Sequence, residues 1–161
     1  MKTEEVKFSF SLFESIDELN TEDAELLREA RKVTKFAYAP YSNFKVGAFA
    51  RLQNGETVSG TNQENASYPA GICAERTLLS TASSLFPGVG IETIAITYDN
   101  LNGKSDKPAS PCGICRQSLV ELQDRTKKPI RIILSGMEGN VQIIENARDL
   151  LPLVFGADDL K

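Results

Sequence analysis

Cys73-Ala74-Glu75-Arg76 and Pro111-Cys112-Gly113-Ile114-Cys115 hold all three cysteines of this chain, and no histidine accompanies them. Three thiolates can hold a zinc ion by three protein bonds and leave its fourth position to water, with the Glu75 carboxyl beside it to carry protons. A structural zinc site would normally close the tetrahedron with a fourth Cys or His, and the chain has neither. Composition therefore points to an open site of catalytic type, with Cys73, Cys112 and Cys115 as ligands and one Zn(2+) per subunit. The competing reading of Cys112-Gly113-Ile114-Cys115 is a thioredoxin-like redox pair, which also starts a helix. The third cysteine, the neighbouring Glu75 and the preceding Ser110-Pro111 weigh toward zinc.

Outward from the cysteines, two helices begin, one at Cys73 and one at Cys112. Leu78, Leu79, Ala82 and Leu85 recur at helical spacing after Cys73, and Pro87-Gly88 stops the run. Pro111 suits the first position of a second helix, along which Cys112, Cys115, Leu119 and Leu122 share a face. A cysteine at a helix start meets unpaired N–H groups and the positive end of the dipole, which favours thiolate. Three thiolates around a dication leave a net negative site. Arg76, three residues after Cys73, and Arg116, directly after Cys115, are candidates to donate hydrogen bonds to sulfur; the plain alternative is two solvated surface arginines.

The remaining pattern places these helices on a sheet. Asn20 or Thr21 can cap a helix that carries Leu26, Leu27, Ala30, Val33, Ala37 and Tyr38 and ends at Pro40. Phe44 to Leu52 and Thr57 to Thr61 read as strands joined by an Asn54-Gly55 hairpin turn. Ile91 to Tyr98, Ile130 to Leu134 and Val141 to Ile144 read as three more. The expected fold class is α/β: a three-layer α/β/α sandwich with a mixed five-stranded sheet, residues 1–161 forming a single domain. Residues 1–14 are an amino-terminal extension. Within it, residues 6 to 13 alternate as a strand would, suited to a sheet edge, a neighbouring subunit or a loose arm.

Composition excludes several function classes. A net charge of −4 and an isoelectric point near 5.0 leave no basic footprint for a phosphate backbone, so no nucleic-acid partner is expected. No apolar run spans a bilayer, and Met1 to Lys7 lacks the basic segment and apolar core of a secretory signal. A cytoplasmic protein acting on a small uncharged molecule is the expectation, with no membrane partner.

Five blocks occur in order: Tyr41-Ser42-x-Phe44-x-Val46-Gly47, Asn62-x-Glu64-Asn65-Ala66, Gly71-Ile72-Cys73-Ala74-Glu75-Arg76, Pro111-Cys112-Gly113-x-Cys115-Arg116-Gln117 and Leu151-Pro152-x-x-Phe155-Gly156. Through them the chain resembles the small homotetrameric cytidine deaminases, zinc hydrolases that convert cytidine and 2′-deoxycytidine to uridine and 2′-deoxyuridine plus ammonia in pyrimidine salvage. The resemblance implies that Cys73, Cys112 and Cys115 bind zinc and that Glu75 shuttles the proton. It implies that Asn62 and Glu64 hydrogen-bond the ribose 3′-hydroxyl, that the Ala74 N–H meets the pyrimidine carbonyl, and that carbonyls near Ser110 and Pro111 receive the leaving amine. Phe44 packs on the base, and Tyr68 and Phe155 reach a neighbouring subunit's pocket. The bland counterparts are core aromatics for Phe44 and Phe155, and loop caps for Asn62 and Glu64. Two other readings compete: a deaminase of a cytosine-containing antibiotic, as in the related blasticidin-S deaminases, against which the Asn62-x-Glu64-Asn65 segment argues, and a non-catalytic zinc or thiol-redox module.

Overall fold

Six strands, β1 (Ser11–Phe13), β2 (Phe44–Leu52), β3 (Thr57–Thr61), β4 (Ile91–Asn100), β5 (Arg131–Ser135) and β6 (Val141–Ile144), form one mixed sheet in the computed structural model, which describes residues 1–161. Their order across the sheet is β1-β6-β5-β4-β2-β3. Only β4 and β5 run parallel. A parallel pair needs a long crossover, and α3 (Gly113–Thr126) supplies it. The other long helices are α1 (Thr21–Val33) and α2 (Ala74–Leu85).

Strand alternation sorts the side chains into two cores. On β4, Ile94 and Ile96 join Leu78 of α2 and Leu119 and Leu122 of α3, while Ala95 turns to the opposite face with Leu26, Leu27 and Ala30 of α1. Helices therefore cover both faces, as the expected three-layer α/β/α class requires, with α2 and α3 side by side on one of them.

The sheet has six strands rather than the expected five, because β1 adds an antiparallel edge to β6 with Phe13 opposite Val141. Phe13 packs against the α1-side core. The alternating pattern from residue 6 predicts a longer strand, yet Val6, Phe8 and Phe10 are exposed. The neighbour β6 ends at Ile144, which lies opposite residue 10, so it offers no strand for Val6 or Phe8 to pair with. Two other expectations shift. The first helix ends at Val33, not near Pro40: the Thr34 hydroxyl donates to the Arg31 carbonyl at 2.7 Å, residues Thr34–Phe36 tighten into a 3-10 turn, and the Tyr38 N–H donates instead to the Asn62 carbonyl at 3.0 Å. The third helix starts at Gly113 with Cys112 as its cap, so Pro111 lies ahead of the helix rather than in its first turn.

Two close approaches position the site. At Gly60 of β3 a Cβ would meet the Ala74 carbonyl oxygen at 2.4 Å, so the missing side chain lets the first turn of α2 lie directly on the strand. At Gly136 a Cβ would lie 2.0 Å from the Ser105 carbonyl oxygen. That carbonyl accepts from the Glu138 N–H at 3.1 Å, and the Ser105 hydroxyl accepts from the Asn100 N–H at 2.8 Å. The connection from β4 to α3 is thus fastened to the β5–β6 turn before it reaches Ser110.

Candidate active site

Cys73 and Cys112 occupy equivalent positions: each is the residue that caps its helix, in extended backbone, with no side-chain cap hydrogen bond. Their sulfurs are free for other work, and the helix packing brings them together. Cys73 Sγ lies 3.8 Å from Cys112 Sγ, which lies 3.5 Å from Cys115 Sγ. All three sulfurs fall within 4.8 Å of one another. Cys115 is buried, Cys73 half-buried and Cys112 exposed, so the cluster is open on one side only.

Three sulfurs this close cannot all ionise without a cation. The Cys73 thiol is drawn down to about 5, first by the neighbouring Cys115 thiol, then by Cys112 and the positive charge of Arg76. Cys115 is pushed upward, first by the neighbouring Cys73 sulfur and then by burial. The two sulfurs are pushed in opposite directions, and a soft dication with three sulfur ligands removes the conflict. The donor set fits zinc.

Glu75 is only 5 % exposed and lines the cavity in front of the sulfurs. Burial raises its carboxyl above the ordinary range, and the Cys73 charge adds to the rise. A carboxyl biased toward its protonated form beside a metal-ligand cluster is suited to giving and taking protons near neutral pH. The N–H of Ala74, at the first position of the same helix, has no carbonyl four residues back within the helix to donate to; Ala74 itself is fully buried and is not among the residues that line the cavity.

The cavity measures about 430 Å³, within the usual range for small-molecule sites. Phe44, Asn62, Glu64, Tyr68, Ser110, Cys73, Cys112 and Glu75 line it, which joins eight of the sequence-predicted residues in one place. The Glu64 carboxylate accepts from the Tyr41 N–H at 2.9 Å, the Ser42 N–H at 3.3 Å and the Ser42 hydroxyl. These donors, the hydroxyl first, hold Glu64 below the ordinary carboxylate range. Asn62 clamps β2 from both ends of its amide: Oδ1 accepts from the Val46 N–H at 2.7 Å and Nδ2 donates to the Phe44 carbonyl at 2.9 Å. Its second N–H remains free.

Arg76 and Arg116 part company. Arg76 donates to the Gly71 carbonyl at 3.2 Å, its buried Nε has no hydrogen-bond partner in the chain, and its positive charge favours the Cys73 thiolate. Arg116 does not act as the expected donor to sulfur: Nε goes to the Pro111 carbonyl at 2.9 Å and Nη1 to the Leu150 carbonyl at 3.1 Å, which ties the carboxy-terminal turn to α3. The Pro111 carbonyl, expected to receive an amine, is consequently engaged, and Pro111 is outside the cavity lining. Phe155 is also outside it and is 61 % exposed on a tail whose carbonyl accepts from Gln117 Nε2 at 2.8 Å. Tyr68 lines the cavity, projects into solvent and meets Tyr41 edge to face at 6.2 Å.

Val46, Gln63, Ile96 and Tyr98 also line the cavity, and sequence reasoning gave none of them a role. Val46 and Tyr98 stand opposite each other on β2 and β4. Tyr98 closes an apolar run that reads as core; its parity with Ile96 and the aromatic Phe44 nearby in register are the signals that mark it. Ser42 appears in the motif blocks, but nothing local links it to a carboxylate 22 residues away.

Residues 20–129 match the family model described as the cytidine and deoxycytidylate deaminase zinc-binding region. A cytidine deaminase of Halalkalibacterium halodurans is 38% identical over 135 residues, covering 84% of this chain and 95% of the relative. A cytidine deaminase of Mycobacterium tuberculosis is 34% identical over 145 residues, covering 86% and 93%. Among solved structures, the cytidine deaminase from Burkholderia pseudomallei aligns with a TM-score of 0.71 at 38% identity, covering 85% of this chain and all of that one.

Proposed function

We infer the activity of this chain from the premise that it belongs to the zinc-binding cytidine and deoxycytidylate deaminase family. It is a zinc enzyme that deaminates cytidine, with 2′-deoxycytidine as its second substrate. The observation that carries this reading is the convergence of Cys73, Cys112 and Cys115 beside buried Glu75 in a cavity whose other wall is Asn62 and Glu64.

Cys73, Cys112 and Cys115 would hold the ion, which when bound supplies a Lewis acid able to activate water near neutral pH. The reaction forms a C–O bond from water at the ring carbon bearing the amino group and breaks the C–N bond, releasing ammonia. Glu75 moves the proton, first to the adjacent ring nitrogen and then to the departing amine. On this reading the Ala74 N–H meets the pyrimidine carbonyl and the Ser110 carbonyl accepts the amine. Glu64, held ionised, accepts from the sugar 3′-hydroxyl, while the free N–H of Asn62 donates to the same oxygen. Arg76 steadies the thiolate form of Cys73.

No helix of the chain is long and apolar enough to cross a membrane. We place the enzyme in the cytoplasm, in pyrimidine salvage, with residues 1–161 acting as one domain. We further read it as a homotetramer in which Tyr68 and Phe155 reach a neighbour's pocket. Their exposure supports this reading, and light scattering on the purified protein tests it.

The deciding experiment is the ultraviolet change on incubating zinc-loaded protein in parallel with cytidine, 2′-deoxycytidine, cytosine and cytidine monophosphate. Turnover of the two nucleosides is expected. Turnover of the base or the nucleotide without cytidine would overturn the nucleoside assignment, and a zinc-loaded protein inert toward all four would overturn the enzyme.

A further inference from the structure

We propose that Tyr98 is a positioning residue for the substrate, backing the Phe44 ring so that one flat face of Phe44 is presented to a planar base. The inference rests on the deaminase reading above and adds a residue to its binding wall. Phe44 lies on β2 and Tyr98 on β4, where Val46 is directly opposite Tyr98, so Phe44 is its diagonal neighbour on the same sheet face. The ring centroids are 4.7 Å apart and the planes differ by only 11°.

Both rings line the cavity. Tyr98 is 5 % exposed, as buried as the core residues, yet neither ring belongs to either core cluster. Rotation of Phe44 about its ring bond would drive an edge into the Tyr98 plane, so the second ring holds the first flat. An incoming pyrimidine on the open face becomes the third layer. The Tyr98 hydroxyl has no partner in the chain and is not closed off from solvent, so the structure gives the work to the ring rather than to the oxygen.

Such a role acts on binding more than on chemistry. Steady-state kinetics on cytidine, with zinc content and thermal melting as controls, would compare wild type with Tyr98→Leu, which keeps bulk but removes the plane, and with Tyr98→Phe. We expect Tyr98→Leu to raise KM about three- to tenfold, the scale of an aromatic pair, while kcat changes less than about twofold. Tyr98→Phe restores the lost KM. Phe44→Leu raises KM as well, and the double variant costs less than the two singles together.

If Tyr98→Leu melts far below wild type, Tyr98→Met replaces it. An unchanged KM in a folded, zinc-loaded variant, strictly additive losses, or a Tyr98→Phe variant as impaired as Tyr98→Leu would overturn the proposal. Wild-type protein inert toward cytidine would overturn the underlying deaminase reading instead. Uridine affinity of the same proteins then judges the stack alone: weaker in Tyr98→Leu supports it, equal removes it.

Discussion

Gly60 of β3 and Leu78 of α2 are in such close contact that a Cβ on the glycine would lie 2.5 Å from the Leu78 nitrogen and 2.4 Å from the Ala74 carbonyl oxygen. Backbone on both sides leaves nothing flexible to yield. A Gly60→Ala substitution must lift the first turn of α2, carrying Cys73 and Glu75 with it. Overpacking of this kind costs about 1–3 kcal/mol, and displacement of a reacting group by about 1 Å costs on the order of a hundredfold in rate. The expected variant is less stable by denaturant titration and nearly inactive. Wild-type stability and activity would show that α2 does not depend on this contact.

Glu75→Gln keeps the size of the side chain and leaves the three sulfurs untouched. We expect zinc content to stay near one per chain while kcat falls by about 10²–10⁴, the range of a lost general acid/base. Metal analysis and single-turnover assays on the same preparation check this. Retained activity would remove Glu75 from proton transfer.

The two arginines beside the ligands predict opposite phenotypes. Arg76→Gln removes the cation that favours the Cys73 thiolate, so zinc affinity should drop about 10- to 100-fold. Arg116→Gln removes the bonds to Pro111 and Leu150, so thermal stability should fall, with a much smaller effect on zinc affinity. Competition with a zinc-sensitive dye reads the first and a melting curve the second. A larger zinc defect in the Arg116 variant would reverse the assignment.

Ser42 sets the acid limit of sugar binding. Its hydroxyl, followed by the Tyr41 N–H and then its own, lowers the Glu64 carboxyl in the folded protein. For a depressed carboxylate the charged-form contribution is present above the unfolded value and is lost as pH falls through the folded one. Wild-type affinity for uridine should therefore persist into acid, whereas in Ser42→Ala it should begin to fail closer to the ordinary glutamate value of about 4.3. Superimposable pH profiles would detach Ser42 from the site.

Removing zinc with a chelator should abolish deamination and release three thiols per chain, Cys73 and Cys112 reacting in the folded protein and buried Cys115 only on denaturation. A thiol reagent counts them, and added zinc should restore turnover. Full activity of the chelated, metal-free protein would contradict the site described above.

Features carried by short segments were legible in the sequence. Asn20 as a cap, the Asn54-Gly55 turn and the cysteines at two helix starts each depend on neighbours within a few residues, and the structure places all of them as expected. What the sequence hid depends on distant partners. The length of β1 is limited by β6 at the other end of the chain. Arg116 is drawn away from sulfur by carbonyls at Pro111 and Leu150, the second 34 residues on. The Glu64–Ser42 bond and the Phe44–Tyr98 stack join separate strands and loops, so no local pattern announces them.

The helix that carries Cys73 and the one that carries Cys112 share the core formed by Leu78, Leu79, Leu119 and Leu122 and the Arg125–Ser83 hydrogen bond at 2.7 Å, while the sulfur cluster joins their amino ends. A bound ion would act as a crosslink between segments that unfolded chains keep far apart, so its binding free energy adds to that of folding. Heat resistance in this protein should consequently track free zinc concentration, and cells short of the metal would lose the enzyme to unfolding and proteolysis as well as to simple inactivity.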